Sequence, residues 1–572
     1  MNKRIKPILV SPKKTIRQVM ETINEAPHQV PPAPAGMVLV VDGDNTLLGI
    51  ATDGDIRRAI LRNTPLNTPI EQIMNKNPFT VENQVSRSEV LAKIYEEIRR
   101  RKVPDKKIDK IILLNQKRQV DDVVSFFEIW KSSEAKVKEI CVVGLGYVGL
   151  TLALTYADAG FMVVGVESQK EVLKSLKKGQ PHFHEVGLEP LLKYHLDKNF
   201  IVKEKLTSAP SDVYFLCVGT PLDKNKKPDL NYLQKATEQI AGVLKEGDLV
   251  ILRSTVPLGI TRSFVIPILE KISGLKAGKD FHISFAPERT IEGKALEELR
   301  TLPQVIGGID KISAEMTSNL FSLLTSTIIL VDSLEAAEMI KLINNTYRDV
   351  TFAFANELAI LCDKLKLDTV KIIEAANKGY DRSNIPVPSP GVGGACLVKD
   401  PYILIESAKK YGHLPKFASL SRQTNEIMPE FVANKVINFF QQNNLDLKKD
   451  KVLLVGFAFK GRPETSDIRN STTLDVLALL QKKVKNIYGF DPVASAKEIR
   501  SYKVKTADLV ESFQDASCVL IMNNHPSYEN WPIYKYLKKT KKPTLFLDCW
   551  HIFSKEIVEK IKGVTYDGLG VD

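Results

Sequence analysis

A single thiol, Cys396, lies in a glycine-rich bend that begins at Pro390. Glycines let the backbone approach a bound ligand closely, and Lys399 and Asp400 follow the sulfur within four residues. A neighbouring cation favours the thiolate, which is the nucleophilic form of cysteine. The segment therefore indicates a nucleophile. A buried structural cysteine in a tight loop is the alternative, because free cysteine is among the most buried residue types.

A nucleotide-binding turn is the second feature that could carry chemistry. An apolar strand runs directly into glycines at Gly144, Gly146 and Gly149, and a helix is predicted from Leu150. The first glycine makes the turn, the second lets backbone approach a pyrophosphate, and the third allows close helix–strand packing. The next strand ends at Glu167, where a carboxylate suits the ribose hydroxyls of NAD and disfavours the extra phosphate of NADP. The pattern predicts NAD binding over a purely structural turn.

Further segments place polar residues where predicted strands end. They are residues 217–221, 254–257 and 286–292. Strand ends at one edge of a parallel sheet are where ligands bind. A later helix carries Glu338, Lys341 and Asn345 at i, i+3 and i+7, so these side chains share one face. Taken singly, each segment is better explained as a surface ion pair or a helix cap.

The bulk properties exclude several classes of protein. The 572 residues are too many for one core and predict three or four domains. Six scattered cysteines without a CxxC pair predict no disulfide framework, no metal site and a cytoplasmic location. We find no signal peptide and no apolar run that could span a bilayer, so no membrane contact is predicted.

The net charge of +12 raises the question of nucleic acid. The densest basic run in the N-terminal part, residues 99–102, has no interleaved aromatic residues of the kind that stack on bases. A solvated helix face explains it better, and no nucleic-acid partner is predicted. Excess positive charge also suits anionic phosphorylated ligands.

The order of predicted elements divides the chain. From residue 139 apolar strands alternate with helices, which is typical of a parallel sheet covered on both faces. The pattern is mainly helical over 334–437, and strand–helix alternation begins again at 451. A short polar linker, residues 131–136, separates an N-terminal module. The predicted domains are residues 1–133, 137–333, 334–437 and 438–572.

The N-terminal module resembles a CBS domain. Its predicted order is a helix, two strands and a helix from Ile56, with the sequence GIATDGD at 49–55. Residues 73–78 resemble the entry to a second copy, which is degenerate because residues 120–128 lack the expected glycine. CBS pairs often bind adenine nucleotides, so the resemblance implies Thr52 and Asp55 as regulatory ligands. A purely structural, dimerising pair is the alternative.

From residue 139 to the C-terminus the chain resembles the UDP-glucose/GDP-mannose dehydrogenase family. The segments that carry the resemblance are residues 144–149, 217–221, 254–257, 287–292, 338–345, 391–400 and 456–469. The resemblance implies an α/β protein with two Rossmann-like parallel-sheet domains joined by a helical connector and preceded by an α+β CBS pair. It implies an enzyme that oxidises the CH2OH of a nucleotide sugar with two NAD per turnover, and a homodimer or higher homo-oligomer.

The resemblance also implies roles for individual residues. Cys396 would attack the aldehyde formed in the first oxidation, and Lys341 with Asn345 would stabilise the oxyanion. The groups that would position or deprotonate the reacting hydroxyl and water are Glu288, Thr255 and Asp400. The remaining cofactor residues would be Thr220, Glu292, Lys399 and Arg469. The UDP-sugar residues would be Lys460 and Arg382, the latter across a subunit boundary.

The residues that indicate which nucleotide sugar is oxidised combine the signatures of two subgroups of the family. Residues 287–289, 390–394, 400–402 and 523–525 resemble UDP-N-acetylhexosamine dehydrogenases. Ala395 departs from that subgroup, which often has His there, and residues 397–400 resemble the UDP-glucose enzymes. We expect a UDP-N-acetylhexosamine, oxidised to its uronic acid for surface polysaccharide precursors. The alternatives are a UDP-glucose 6-dehydrogenase, a two-electron β-hydroxyacid dehydrogenase, and a nucleotide-sensing protein that has lost activity.

Overall fold

A computed structural model describes residues 3–26, 33–34, 36–82, 111–124, 139–206 and 211–571. The chain divides into two compact units, Met1–Lys138 and Glu139–Asp572, and each is described by itself. The predicted basic run 99–102, the linker 131–136 and the end of the degenerate repeat, residues 125–128, lie outside the described residues.

The first unit contains two three-stranded sheets with one topology. In each, the first strand is parallel to the second and the second is antiparallel to the third. The strands are β1 Leu9–Val10, β2 Met37–Val41, β3 Leu47–Thr52, β4 Thr80–Glu82, β5 Ile111–Leu114 and β6 Val120–Val124. The helices are α1 Ile16–Glu25 and α2 Asp53–Leu61, with 3-10 turns at Lys3–Ile8 and Ile70–Gln72. The repeated topology accords with two related copies, the second of which has diverged in sequence.

Helix α2 begins at Asp53, three residues before the predicted start. Thr52 is its N-cap, and the Thr52 hydroxyl and backbone N–H both donate to the Asp55 carboxylate at 2.7 and 2.9 Å. The Asp55 N–H in turn donates to the Thr52 hydroxyl at 3.3 Å, which completes a capping box. Arg58 donates to the other Asp55 oxygen at 2.5 Å. Both proposed nucleotide ligands are therefore already bonded, and their regulatory role stays a prediction.

The second unit opens with an eight-stranded sheet in the order β14-β13-β12-β11-β10-β7-β8-β9. Its strands are β7 Glu139–Val143, β8 Val163–Val166, β9 Phe200–Lys203, β10 Ser211–Leu216, β11 Leu249–Leu252, β12 His282–Phe285, β13 Gln304–Gly308 and β14 Ile328–Val331. All neighbours are parallel except β12 and β13. The helices are α3 Tyr147–Asp158, α4 Lys170–Leu176, α5 Leu188–His195, α6 Asn231–Ala241, α7 Ile266–Ser273, α8 Ala295–Thr301 and α9 Lys311–Phe321, and a π-helical turn covers Thr261–Val265. Helix α3 begins three residues before the predicted Leu150, because Gly146 is already its N-cap.

Four helices connect the two sheets of this unit. They are α10 Leu334–Leu365, α11 Thr369–Asn377, α12 Asp400–Lys409 and α13 Lys416–Gln442. A buried carboxylate, Asp349 of α10, accepts hydrogen bonds from Arg422 at 2.7 Å and Asn425 at 2.8 Å, both on α13. These bonds fix the long helices against each other. Helix α13 extends five residues beyond the predicted limit at 437.

The last sheet has six parallel strands in the order β17-β16-β15-β18-β19-β20. They are β15 Lys451–Val455, β16 Ile487–Phe490, β17 Lys505–Thr506, β18 Ala516–Ile521, β19 Thr544–Asp548 and β20 Val564–Gly568. The helices are α14 Thr472–Leu480, α15 Ala496–Ser501, α16 Leu509–Phe513, α17 Ile533–Leu537 and α18 Lys555–Val558, with a 3-10 turn at Pro526–Asn530. In both large sheets the first strand lies between the second and the fourth. Ligands of such sheets bind at this switch point, beyond the carboxyl ends of the strands.

Candidate active site

The switch point of the first sheet lies between β7 and β10 and carries the glycine turn. Gly144 has a φ of +93°, which only glycine adopts readily. A Cβ at Gly149 would lie 1.7 Å from the Gly144 oxygen, whereas a Cβ at Gly146 would meet no described atom within 4 Å. Among the described residues, no side chain caps the start of α3. The first N–H groups of this helix are therefore open to an anion, which fits the pyrophosphate of NAD.

Two polar groups complete the fit for a dinucleotide. The buried Glu167 carboxylate accepts from the N–H groups of Leu145 at 3.1 Å and Gln169 at 2.9 Å, so it is fixed beside the turn. The hydroxyl of Thr220 is buried and has no hydrogen-bond partner among the described residues. A buried polar group without a partner is costly, and a ligand at this edge would satisfy it. These residues therefore fit NAD, whose nicotinamide ring supplies a hydride acceptor when bound.

Cys396 is held at the start of α12. Its carbonyl oxygen accepts from the N–H groups of Lys399 at 3.1 Å and Asp400 at 2.9 Å. The residue is open to solvent on one side, and protein surrounds the sulfur on its other sides. Burial raises the pKa of the Cys396 thiol, Lys341 and Lys399 oppose that rise, and Asp400 and Glu292 add to it. The neighbouring lysine favours the thiolate, as its position in the sequence predicts, but desolvation and two carboxylates outweigh the cations.

Asp400 joins three elements of the site. Its fully buried carboxylate accepts from Asn345 of α10 at 2.6 Å and from the Lys399 ammonium at 2.7 Å. Burial alone would lower the pKa of Lys399, but Asp400 and Cys396 raise it above its usual value. Lys399 is therefore a cation beside the sulfur. The second N–H of the Asn345 amide remains available to a ligand.

Lys341, also on α10, contacts the loop that follows β12. Its ammonium donates to the Glu288 carbonyl oxygen at 2.5 Å. The Glu288 carboxylate accepts from the N–H groups of Arg289 at 2.7 Å and Thr290 at 2.8 Å on one oxygen, and from Arg253 on the other. Burial would raise the pKa of Glu288, but Arg253 and Lys341 hold it below its usual range. Glu288 is thus ionised with both carboxylate oxygens bonded, which favours the positioning role over the deprotonating role among the two that the family resemblance implies.

Arg253 is the partner that the sequence patterns did not single out. Its side chain is completely enclosed and lies 5.0 Å from the centroid of the Phe321 ring. It also donates to Gln304 at 3.3 Å. Its position directly after the apolar strand β11 was the available signal. A cation placed there is buried and requires a buried anion.

Glu292 differs from the other site carboxylates because it lacks a full set of partners. Its Oε2 atom is buried without a hydrogen bond among the described residues. Burial and Asp467 raise the pKa of Glu292 to about 7, against the opposite effects of Lys460 and Arg469. The Lys460 ammonium donates to the Glu292 carbonyl oxygen at 2.6 Å, and burial lowers the pKa of Lys460 to about 8. A carboxylate that titrates near neutrality is suited to proton transfer.

Arg469 connects the second sheet to the nucleotide turn. Its guanidinium bonds the Asp467 carboxylate at 2.7 Å and lies 5.5 Å from the ring centroid of Tyr147, inside the glycine turn. The other face of the turn is covered by Phe183, whose ring centroid is 3.8 Å from that of Tyr147. The C-terminal domain therefore closes over the predicted cofactor site.

Three sequence-predicted residues have a looser relation to this cluster. Thr255 follows β11 and is half-buried. Arg382 is exposed, lies 4.9 Å from the ring centroid of its neighbour Tyr380, and contacts none of the described site residues. Glu338, on the same helix face as Lys341, accepts from Thr261 at 2.9 Å and anchors α10 to the first sheet's helices.

Sequence comparisons agree with this architecture. Profiles of the UDP-glucose/GDP-mannose dehydrogenase family match at residues 138–325 for the NAD-binding domain, 335–427 for the central domain and 453–555 for the UDP-binding domain. A CBS domain profile matches residues 1–62. The chain therefore belongs to the UDP-glucose/GDP-mannose dehydrogenase family and is an NAD-dependent UDP-sugar dehydrogenase. The predicted family, fold class and cofactor are confirmed, and the non-enzymatic alternative is set aside.

Relatives of known activity extend over the whole second unit. A UDP-N-acetyl-D-mannosamine dehydrogenase of Pyrococcus horikoshii is 34% identical over 439 residues, which are 75% of this chain and 99% of the relative. One from Methanococcus vannielii is 33% identical over 437 residues, 75% and 96% of the two chains. The solved structure of the Pyrococcus horikoshii UDP-D-ManNAc dehydrogenase has a TM-score of 0.68 at 32% identity and covers 76% of this chain and 99% of that one. A UDP-glucose dehydrogenase from Pyrobaculum islandicum has a TM-score of 0.67 at 25% identity, with 77% and 99% coverage.

The buried Arg253–Glu288 pair generates a stability prediction. We expect Arg253→Met to lower the free energy of unfolding by about 3–5 kcal/mol, because Glu288 is left buried without a counter-charge. The difference in the free energy of unfolding between the wild type and Arg253→Met should become smaller as the pH falls through the lowered pKa of Glu288. Below that pH the Glu288 carboxyl is neutral in both proteins. Urea unfolding followed by circular dichroism measures both effects.

The control for this prediction is the exposed pair Arg300–Asp158, whose charged atoms lie 2.6 Å apart. Arg300→Met should cost less than about 1 kcal/mol. The double variant Arg253→Met, Glu288→Gln should recover part of the loss. Equal losses for the two arginine variants would contradict the assignment.

Proposed function

We propose that the enzyme oxidises the C6 hydroxymethyl group of a UDP-N-acetylhexosamine to a carboxylate, with two NAD per product, through a covalent bond to Cys396. The observation that carries the four-electron chemistry is one accessible thiol beside the ammonium groups of Lys341 and Lys399. A two-electron alcohol oxidation has no need of such a group. The names of the two relatives above support the N-acetylhexosamine, and UDP-glucose remains the second candidate.

The first oxidation removes a hydride from C6 and the proton of its hydroxyl. The Cys396 sulfur then attacks the resulting aldehyde carbon. The S–H bond breaks and its proton passes to solvent, to which Cys396 is exposed, an S–C bond forms, and the carbonyl oxygen becomes an oxyanion. Lys341 has two N–H donors left beyond its bond to Glu288, and Asn345 has one left beyond its bond to Asp400. Donors held in advance at that oxygen lower the barrier without reorganisation.

The second oxidation removes the other C6 hydride and leaves a thioester on Cys396. Water then attacks the thioester carbon, the C–S bond breaks, and the acid is released with the thiol regenerated. In this step we assign Glu292 as the proton acceptor from water, because its pKa lies near neutrality and its Oε2 atom is free of hydrogen bonds among the described residues. Lys460 binds the backbone of Glu292 and is a candidate contact for the substrate phosphates.

The stoichiometry of NADH tests the proposal. The wild-type enzyme should form two NADH per UDP-N-acetylhexosamine consumed, measured by absorbance and by mass spectrometry of the acid. Cys396→Ala should abolish acid formation, since no thioester can form. The buried Cys362→Ala is the matched control and should retain full stoichiometry. One NADH per sugar, or undiminished acid from Cys396→Ala, would overturn the covalent route, and a strong preference for UDP-glucose would overturn the substrate assignment.

Glu292 gives a pH prediction. A base must be ionised, so kcat of the wild type should rise with pH through about 7, in line with the raised pKa of this carboxyl. Glu292→Gln should lose this rise of kcat with pH, and its kcat should be lower by a factor of about 10²–10⁴. Exposed Glu297, five residues further along, supplies the control, and Glu297→Gln should keep the profile. If kcat of Glu292→Gln rises with pH as in the wild type, another group is responsible for the pH dependence.

We further infer that the enzyme is a homo-oligomer. Tyr347, Phe354 and Leu361 recur every seven residues on α10 and are 71%, 51% and 50% exposed. A second copy of this helix would cover such an apolar stripe. Light scattering should find a dimer or larger assembly, and Tyr347→Glu with Leu361→Glu should shift it to the monomer. As a control, changing the exposed residues Tyr194 and Ile557 to Glu should leave the mass of the assembly unaltered. If the α10 variant instead keeps the mass of the wild-type assembly, the proposed interface is refuted.

A further inference from the structure

The edge of the second sheet opposite its switch point is strongly basic. It is formed by the loops that lead into β15 to β20, which we call the basic edge: residues 443–451, 481–486, 502–505, 514–515, 538–543 and 559–563. These loops contain fourteen lysines, no arginine and four acidic residues, a net charge of +10. The whole chain has a net charge of +12. The basic edge therefore carries a net charge nearly as large as that of the whole chain.

The opposite edge of the same sheet, which carries Lys460 and Arg469, has no such excess. Its loops are residues 456–471, 491–495, 507–508, 522–532, 549–554 and 569–571, and they contain three basic and five acidic residues. The substrate phosphates are expected at this second edge. The basic edge is therefore unrelated to substrate binding.

The first sheet provides an internal control. Its loops into β8, β9, β11 and β12, which are residues 159–162, 196–199, 242–248 and 274–281, contain four lysines and four acidic residues. Helices end at this edge in both domains, and helix C-termini attract cations. Because the same helix geometry leaves the first sheet neutral, that attraction does not account for the basic edge.

Most lysines of the basic edge are available to a partner, although Lys451, Lys485, Lys505 and Lys542 also donate to nearby uncharged oxygens. Thirteen are exposed, and Lys451 is half-buried. The ammonium groups of Lys451 and Lys505 lie 4.0 and 5.4 Å from the centroid of the Tyr488 ring, so two neighbouring cations contact the same uncharged ring. Among the described ion pairs, only Lys541–Asp450 and Lys449–Asp446 neutralise lysines of these loops. Gathering like charges in this way costs stability unless an anion compensates it.

The shape of the edge favours a flat, diffuse anion. Strands lie about 4.8 Å apart, so six of them spread the lysines over roughly 24 Å. Lysine is a compact point charge without the fork that binds a single phosphate at two points. Only one aromatic residue, Tyr502, occurs in these loops, which leaves little to stack on bases.

We propose that the basic edge docks the enzyme reversibly on a membrane surface rich in anionic lipid headgroups. Such docking is electrostatic and peripheral, and needs no spanning helix. No helix among the described residues could cross a bilayer. Docking through this edge leaves the opposite edge, with the substrate site, facing solvent.

Cosedimentation with vesicles tests the proposal on the full chain. Phosphatidylcholine vesicles with 30% phosphatidylglycerol should bind the enzyme at low salt, and pure phosphatidylcholine vesicles should not. Changing Lys482, Lys483, Lys538 and Lys539 to Gln should weaken binding at least tenfold, since each lysine near such a surface contributes about fivefold. Because these residues are exposed and remote from the site, UDP-sugar oxidation should be unchanged.

A matched variant removes the same charge elsewhere. Exposed Lys177, Lys178, Lys364 and Lys410 changed to Gln should keep vesicle binding within twofold of the wild type. A duplex DNA and a single-stranded RNA are tested by fluorescence anisotropy in the same buffer. Absence of vesicle binding, equal losses in the two variants, or binding to either nucleic acid as tight as to vesicles would overturn the proposal.

Discussion

Charges buried between the two sheets must be neutralised, and the geometry of the site follows from that constraint. An isolated ion loses its hydration when enclosed, and only a close partner offsets the cost. Arg253 therefore fixes Glu288, and Asp400 fixes Lys399 and Asn345. Through the Glu288 carbonyl the same network holds Lys341. Since the pairs lie on different strands, loops and helices, neutralising the charges also positions the elements that carry them.

The constraint separates two paired carboxylates from the one proposed to react. Both oxygens of Glu288 and of Asp400 accept hydrogen bonds, whereas Glu292 retains an unbonded oxygen among the described residues and a pKa near neutrality. The thiol follows the same rule. Burial and two carboxylates raise its pKa despite two nearby lysines, so Cys396 is protonated in the free enzyme at neutral pH. In the proposed mechanism its activation therefore requires that the proton leave as the sulfur attacks the aldehyde.

Helix α10 connects this chemistry to assembly. One face supplies Lys341 and Asn345, and Glu338 on that face ties the helix to the first sheet. The other face carries the apolar stripe proposed to meet a second copy. A rigid helix of 32 residues can serve both faces because side chains at i, i+3, i+4 and i+7 stay in register along it. The C-terminal sheet has a comparable division of labour, with Lys460 and Arg469 at one edge and the lysine-rich loops at the other.

Much of this protein is encoded locally. Apolar strands followed by glycines predict the nucleotide turn, and the alternation of strands and helices predicts both large sheets, because period and turn chemistry depend on near neighbours. The family signature places Cys396, Lys341, Asn345, Glu288 and Asp400 in one site without any coordinates. Tertiary structure alone decided the partners that are distant in sequence: Arg253 opposite Glu288, and Asp400 beside Asn345. A pKa likewise depends on burial and on charges brought from distant segments, so the ionisation of the predicted nucleophile Cys396 does not follow from its neighbouring lysine alone.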